Sequence, residues 1–182
     1  MTPEPASTTS SQRLILADFF TPGFRVTGKT IVPNSGLMGL MNDQVTSFME
    51  ILDARLARLH MPTKLVEHYQ VLRLVRSQIF AVCLARREDL GPPALARGGF
   101  QKMNEYSIHI ASPVYELTGT LEWAGRFEFS TVMMEGSRDF VPLYNGHLAA
   151  ILISALKVDS PAMLFNRKQV DLLGLKSQCL ES

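Results

Sequence analysis

Asp-Phe-Val-Pro-Leu-Tyr-Asn-Gly-His-Leu, residues Asp139 to Leu148, decides the fold, because a proline and an Asn-Gly pair interrupt an otherwise apolar run. Proline lacks the amide that a helix interior needs, and Asn-Gly favours turns and bulges. An earlier stretch, Ser-Phe-Met-Glu-Ile-Leu-Asp-Ala-Arg-Leu from Ser47 to Leu56, matches it position for position. Read alone, the earlier stretch suits a helix: Val45, Phe48, Met49, Leu52, Leu56 and Leu59 fall at spacings of three and four. Leu65, Tyr69, Leu72, Val75, Ile79 and Val82 are spaced in much the same way. The alternative fold is therefore α+β, with Gln44–Leu59 and Leu65–Arg86 helical. The later copy removes that option, and copies of one module share one fold.

The matching extends outward on both sides. Thr-Pro-Gly-Phe-Arg-Val-Thr-Gly at Thr21 to Gly28 returns as Ser-Pro-Val-Tyr-Glu-Leu-Thr-Gly at Ser112 to Gly119, and Arg76-Ser-Gln-Ile returns as Arg167-Lys-Gln-Val. Three blocks in the same order, with one residue inserted between the first and second, indicate an internal duplication. The expected domain plan is a tail over residues 1–12, a module over 13–86, a linker over 87–104, a second module over 105–176 and a tail over 177–182.

Short strands fit both copies. In the first they are expected at Phe24–Val32, Leu37–Met41, Phe48–Leu59, Val71–Val75 and Ile79–Ala85. In the second they are expected at Tyr115–Trp123, Phe127–Met133, Phe140–Ile153, Ala162–Phe165 and Val170–Leu175. The long third strand changes parity, since Met49 and Ile51 point one way and Ala54 and Leu56 continue on the other. A bulge or bend near Asp53 and Asn145 resolves this, with Gly146 as the permissive residue. Sheets bent so sharply close into small barrels. The expected class is all-β: two tandem small five-stranded barrels related by internal duplication.

Strand order and motifs resemble the Sm-like and SH3-like barrels, and more closely a bacterial domain family of unknown function. The residues carrying the likeness are Met41-Asn42, Phe48, Ile51, Ala54, Arg76 and Ile79, then Met133-Met134, Phe140, Leu143, Gly146, Arg167 and Val170. Sm-like proteins that bind uridine-rich RNA have an Asp four residues before a loop Asn, and an Arg-Gly or Lys-Gly in a later turn. Here Met38 precedes Asn42, Ser130 precedes Met134, and Ser77 and Lys168 follow the arginines. The resemblance therefore implies the fold and not that RNA site.

Composition narrows the function. Eighteen basic and 17 acidic side chains give a net charge of +1, without the basic excess of a nucleic-acid binder. No apolar run approaches the roughly 18 residues of a membrane span. The polar first twelve residues lack a signal-peptide pattern, so the expected compartment is the cytoplasm. Two cysteines, Cys83 in an apolar run and Cys179 near the end, do not make a disulfide framework.

His60, His68, His109 and His147 lack metal-site spacing, and His60 with His68 and Glu67 reads as a solvated loop. Gly136-Ser137 and Cys83 lack a catalytic base, and Glu50 with Asp53 is replaced by Pro142 and Asn145 in the second copy. No cofactor, metal or catalytic set is expected. Candidate ligand or partner residues are Asn42, Asp43, Arg76, Arg167, Lys168, Arg86, Arg87 and Arg97. They suit a non-enzymatic scaffold that binds itself or another protein. The alternative is a regulatory module that binds nucleotide or nucleic acid through the basic turns and linker arginines. Phe19-Phe20 and Trp123 are expected to cap cores or fill the interface between modules.

Overall fold

The computed structural model describes residues 12–92, 102–134 and 138–176. It shows one open antiparallel sheet of ten strands. The first five are β1 (Arg13–Phe20), β2 (Phe24–Val32), β3 (Phe48–Arg58), β4 (Leu65–Val75) and β5 (Ala81–Leu84). The second five are β6 (Met103–Ala111), β7 (Tyr115–Ala124), β8 (Phe140–Ala150), β9 (Ile153–Asn166) and β10 (Leu172–Leu175). Two short helices, α1 (Gly36–Met41) and α2 (Phe129–Met133), follow β2 and β7.

The spatial order is β10-β6-β7-β8-β9-β5-β1-β2-β3-β4. The first half runs β5-β1-β2-β3-β4 and the second repeats that order as β10-β6-β7-β8-β9. The halves meet where β5 pairs with β9, Ala81 opposite Phe165 and Leu84 opposite Ala162.

Each repeated sequence block has a local reason. Thr-Pro-Gly and Ser-Pro-Val turn β1 into β2 and β6 into β7. The Thr21 hydroxyl accepts from the Phe24 amide at 3.1 Å, and the Ser112 hydroxyl accepts from the Tyr115 amide at 3.0 Å. The expected bends fall where the parity change put them: Asp53 and Asn145 are the two non-glycine residues with positive φ among those described, at 52° and 48°. Opposite them the β2–β3 register jumps between Thr27 and Lys29, and the β7–β8 register jumps between Thr118 and Thr120. Gly28 and Gly119 sit at those jumps. A Cβ on Gly28 would lie 2.5 Å from Ile51 Cγ2, and one on Gly119 2.9 Å from the Tyr144 carbonyl oxygen.

Several expectations are corrected. The helical alternative for Gln44–Leu59 and Leu65–Arg86 is excluded, since these stretches contain β3, β4 and β5 as the β reading expected. Leu37–Met41 and most of Phe127–Met133 are helices, because Leu37 and Met41, one turn apart, bury the same face of α1. Two strands, β1 and β6, take their place, so each half still has five. The expected strand Phe140–Ile153 is two strands, with β9 starting at Ile153. At the bend the permissive residue is Asn145 itself, while Gly146 makes room for the Met163 sulfur 2.6 Å from its would-be Cβ. Pro142 is tolerated because the β7–β8 ladder ends at Tyr144, which leaves that side of Pro142 without a strand partner. Arg97, Gly136-Ser137 and Cys179 lie outside the described residues.

Two apolar clusters form the core, and the strands at the junction separate them. Ala81 and Cys83 of β5 face the second half's cluster with Met163 and Phe165, while Val82 and Leu84 face the first half's cluster with Ala162 and Leu164. Strands buried on both faces read as unbroken apolar runs, as Ala81-Val-Cys-Leu and Ala162-Met-Leu-Phe do. Phe19 and Phe20, adjacent in β1 and fully buried, point into opposite clusters for the same reason.

Candidate functional site

The junction between the halves is crossed by side-chain hydrogen bonds that link residues 76 to 98 positions apart in the sequence. Asn42, at the C-terminal end of α1, donates its side-chain amide to the Phe140 carbonyl at 3.0 Å and accepts from the Phe140 amide at 2.9 Å. Asn166 donates to the Ile79 carbonyl at 3.1 Å, and Gln169 donates to the carbonyl of Ser77. Ser160 donates to the Leu84 carbonyl at 2.7 Å and accepts from the Leu84 amide at 3.1 Å. Tyr115 stacks on Phe80 with ring centroids 5.2 Å apart, and its phenol donates to the Thr21 carbonyl at 2.5 Å. Burial raises that phenol's pKa well above its ordinary value, which keeps the donor proton in place.

At one end of the junction a polar cavity of about 240 Å³ is lined by Asn42, Asp43, Arg76 and Lys168, with Thr46, Asp139 and Asn166. Four of the eight residues singled out from sequence therefore meet in one place. Their cations are already engaged. Arg76 is buried and donates to the carbonyls of Met41 and Asp43 and, at 2.6 Å, to the Thr46 hydroxyl. Lys168 holds Asp139 at 2.8 Å. Arg167, the counterpart of Arg76, is also buried and donates to the Val132 carbonyl at 3.1 Å, behind α2. The basic turns thus clamp the loops that carry the helices.

The linker arginines lie elsewhere. Arg86 holds Asp89 through two hydrogen bonds of 3.1 Å, and the bond to Asp89 is the main cause of its raised pKa. Arg87 pairs with Glu122 and lies 3.8 Å from the Tyr144 ring centroid. Its partners Glu122 and Tyr144 line a second cavity at the junction, about 230 Å³ and mostly apolar, together with Met38, Leu90, Leu121, Trp123 and Pro142. Trp123 thus borders the interface between halves, while Phe19 and Phe20 fill cores.

Among the described residues no group of three or more His, Cys, Asp or Glu side chains is placed to hold a metal. His68 meets Asp53 at 2.6 Å and His147 meets Asp159 at 2.6 Å, both at the surface. Glu50 pairs with Arg73 rather than with Asp53. Burial pushes the Cys83 thiol far above its ordinary pKa, so it remains a thiol at neutral pH. Among the described residues no helix is long and apolar enough to cross a membrane.

The residues that sequence reasoning missed are Ser160, Asn166, Gln169 and Tyr115, the clasps of the junction. Their signal was a difference between the copies, since three of them stand where the first copy has Tyr69, Val75 and Phe24. Compared with protein-family models, curated proteins and solved structures, the chain matches none.

Proposed function

We propose that this chain is a non-enzymatic cytoplasmic scaffold, built from two Sm-like or SH3-like five-stranded barrels that arose by duplication, and that it works by self-association. The observation that carries this reading is the β5–β9 pairing, by which one half already binds the other through strand edges. Open sheets end in unpaired backbone groups, and β4 and β10 are such ends in the described sheet. The alternative, nucleotide or nucleic-acid binding through the basic turns, draws less support. Arg76, Arg86, Arg87, Arg167 and Lys168 are engaged by carbonyls or carboxylates, and Asp43 and Asp139 line the polar cavity.

Size-exclusion chromatography with light scattering tests the scaffold reading. The expected mass is a multiple of the 20.3 kDa chain. A species of single-chain mass at every concentration would remove self-association.

A further inference from the structure

β4 and β10 are the counterparts of the two strands that form the internal junction. Val71-Leu-Arg-Leu-Val of β4 answers to Ala162-Met-Leu-Phe-Asn of β9, and Leu172-Leu-Gly-Leu of β10 answers to Ala81-Val-Cys-Leu of β5. The same two kinds of edge that join inside the chain are therefore the two ends of the described sheet, one of each kind. From this we infer that a second copy docks head to tail, with β10 of one chain pairing with β4 of the next in the register of the internal junction. This inference rests on the self-association reading and names its partner and geometry.

That register is fixed by the one inside the chain. Ala81 opposite Phe165 becomes Leu172 opposite Leu74, and Leu84 opposite Ala162 becomes Leu175 opposite Val71. The side chains fit this use. In β9, Ala162 and Leu164 are fully buried by the other half, whereas Val71 and Val75 of β4 are 52% and 50% exposed. Likewise Ala81 is fully buried, and Leu172 is 49% exposed. β10 keeps the unbroken apolar run of a strand covered on both faces, while one of its edges has no strand neighbour among the described residues.

A second observation, away from both strands, points the same way. The internal junction is clasped by Asn42 at the end of α1, which binds the Phe140 backbone. Met134 holds the same place at the end of α2, and Phe48 is the counterpart of Phe140. Met134 is 80% exposed and Phe48 39% exposed. Head-to-tail docking brings this methionine against this aromatic, so an apolar contact replaces the polar clasp. Three further clasp positions change in the same sense: Ser160, Asn166 and Tyr115 answer to exposed Tyr69, Val75 and Phe24. Exposed apolar groups arranged in this way mark a surface that is covered in use.

Arg73 is the charged residue of the β4 segment, in the place of Leu164. It lies over the Phe48 ring, 5.1 Å from its centroid, and reaches Glu50 at 3.1 Å, both neighbours on its own sheet. Its charge is thereby satisfied without a partner chain, and its stem lies along the face that docking covers.

Cysteine cross-linking tests the inference in a Cys179→Ser background, with Cys83 buried and unreactive. Two pairs are used, Val71→Cys with Leu175→Cys and Leu74→Cys with Leu172→Cys. Adjacent positions alternate between hydrogen-bonded and non-hydrogen-bonded sites, and both Cα separations suit a disulfide. Each chain, carrying one added cysteine beside buried Cys83, is oxidised alone and after mixing with its intended partner, and light scattering follows its mass. The expected result is a covalent dimer in the mixed sample and none in either chain alone. A dimer from the Val71→Cys or Leu74→Cys chain alone would show β4 pairing with β4 and overturn the inference. An oligomer that yields no mixed dimer from either pair would also overturn it while leaving self-association standing. A monomer throughout would remove both.

Discussion

Asp53 and Asn145 hold left-handed backbone at equivalent points of β3 and β8, and Gly28 and Gly119 face them from β2 and β7. The two features depend on each other. The left-handed residue pushes its strand toward the neighbour, and the neighbour's missing Cβ leaves the space. Gly28→Ala and Gly119→Ala should each cost about 1–3 kcal/mol, because the added carbon meets the buried side chain of Ile51 or Leu143 with strand backbone close behind it. Asn145→Gly should be neutral or slightly stabilising, Asp53→Gly adds the loss of the His68 and Lys29 pairs, and Asn145→Val should cost about 1–2 kcal/mol through backbone strain. Urea unfolding followed through Trp123, the single tryptophan, measures all of these. Equal losses for Gly28→Ala and Gly23→Ala would count against the close-approach explanation, since a Cβ on Gly23 would meet nothing within 4 Å.

Between residues and sheet, the 3-10 turns at Arg76–Gln78 and Arg167–Gln169 do a structural task that their charge disguised in the sequence. A basic turn recurring in both copies reads as a ligand site, yet each arginine is buried against carbonyls from its own helix-bearing loop. Arg76→Ala should cost about 1.5–3 kcal/mol. Arg76→Lys should not restore it, because a single ammonium cannot reach three acceptors set for a guanidinium fork. Thermal unfolding of both variants gives the comparison, and full rescue by lysine would refute the clamp.

The same scale shows what could be read in advance. The bends at Asp53 and Asn145 were legible because a parity change in an apolar pattern has few solutions. The helices were not, since a short apolar run next to a glycine has the same composition in a helix and in a strand. β1 and β6 were missed for a different reason. In β1, Leu14, Ile15, Leu16 and Ala17 blur the alternation, although the Thr21-Pro22-Gly23 turn, read as a hairpin, already requires a strand before it. Of the candidate site, Asn42, Asp43, Arg76 and Lys168 were found because they sit in recurring loops. Ser160, Asn166 and Tyr115 bond across the junction to Leu84, Ile79 and Thr21, 76 to 94 residues away, so nothing local to their sequence marks those bonds.

For the whole molecule, the repeated strand order has a geometric consequence. A head-to-tail contact between unlike edges either closes into a ring or grows without limit. If every junction copies the internal one, each half is related to the next by nearly the same rotation, and closure follows when that rotation divides the circle. The expected assembly is a single closed species whose mass is constant above the concentration at which it dissociates, with a mass that keeps rising as the contrary result. Arg73 then governs its strength. Its counterpart at the internal junction is a buried leucine, and burying such a side chain contributes about 1.5–3 kcal/mol. Arg73→Leu should therefore lower the concentration at which the assembly dissociates by about tenfold or more at each junction, and Val71→Lys should raise it by placing a charge on the paired edge. Dissociation midpoints from dilution series read both effects. Midpoints unmoved by either substitution would place the contact away from β4.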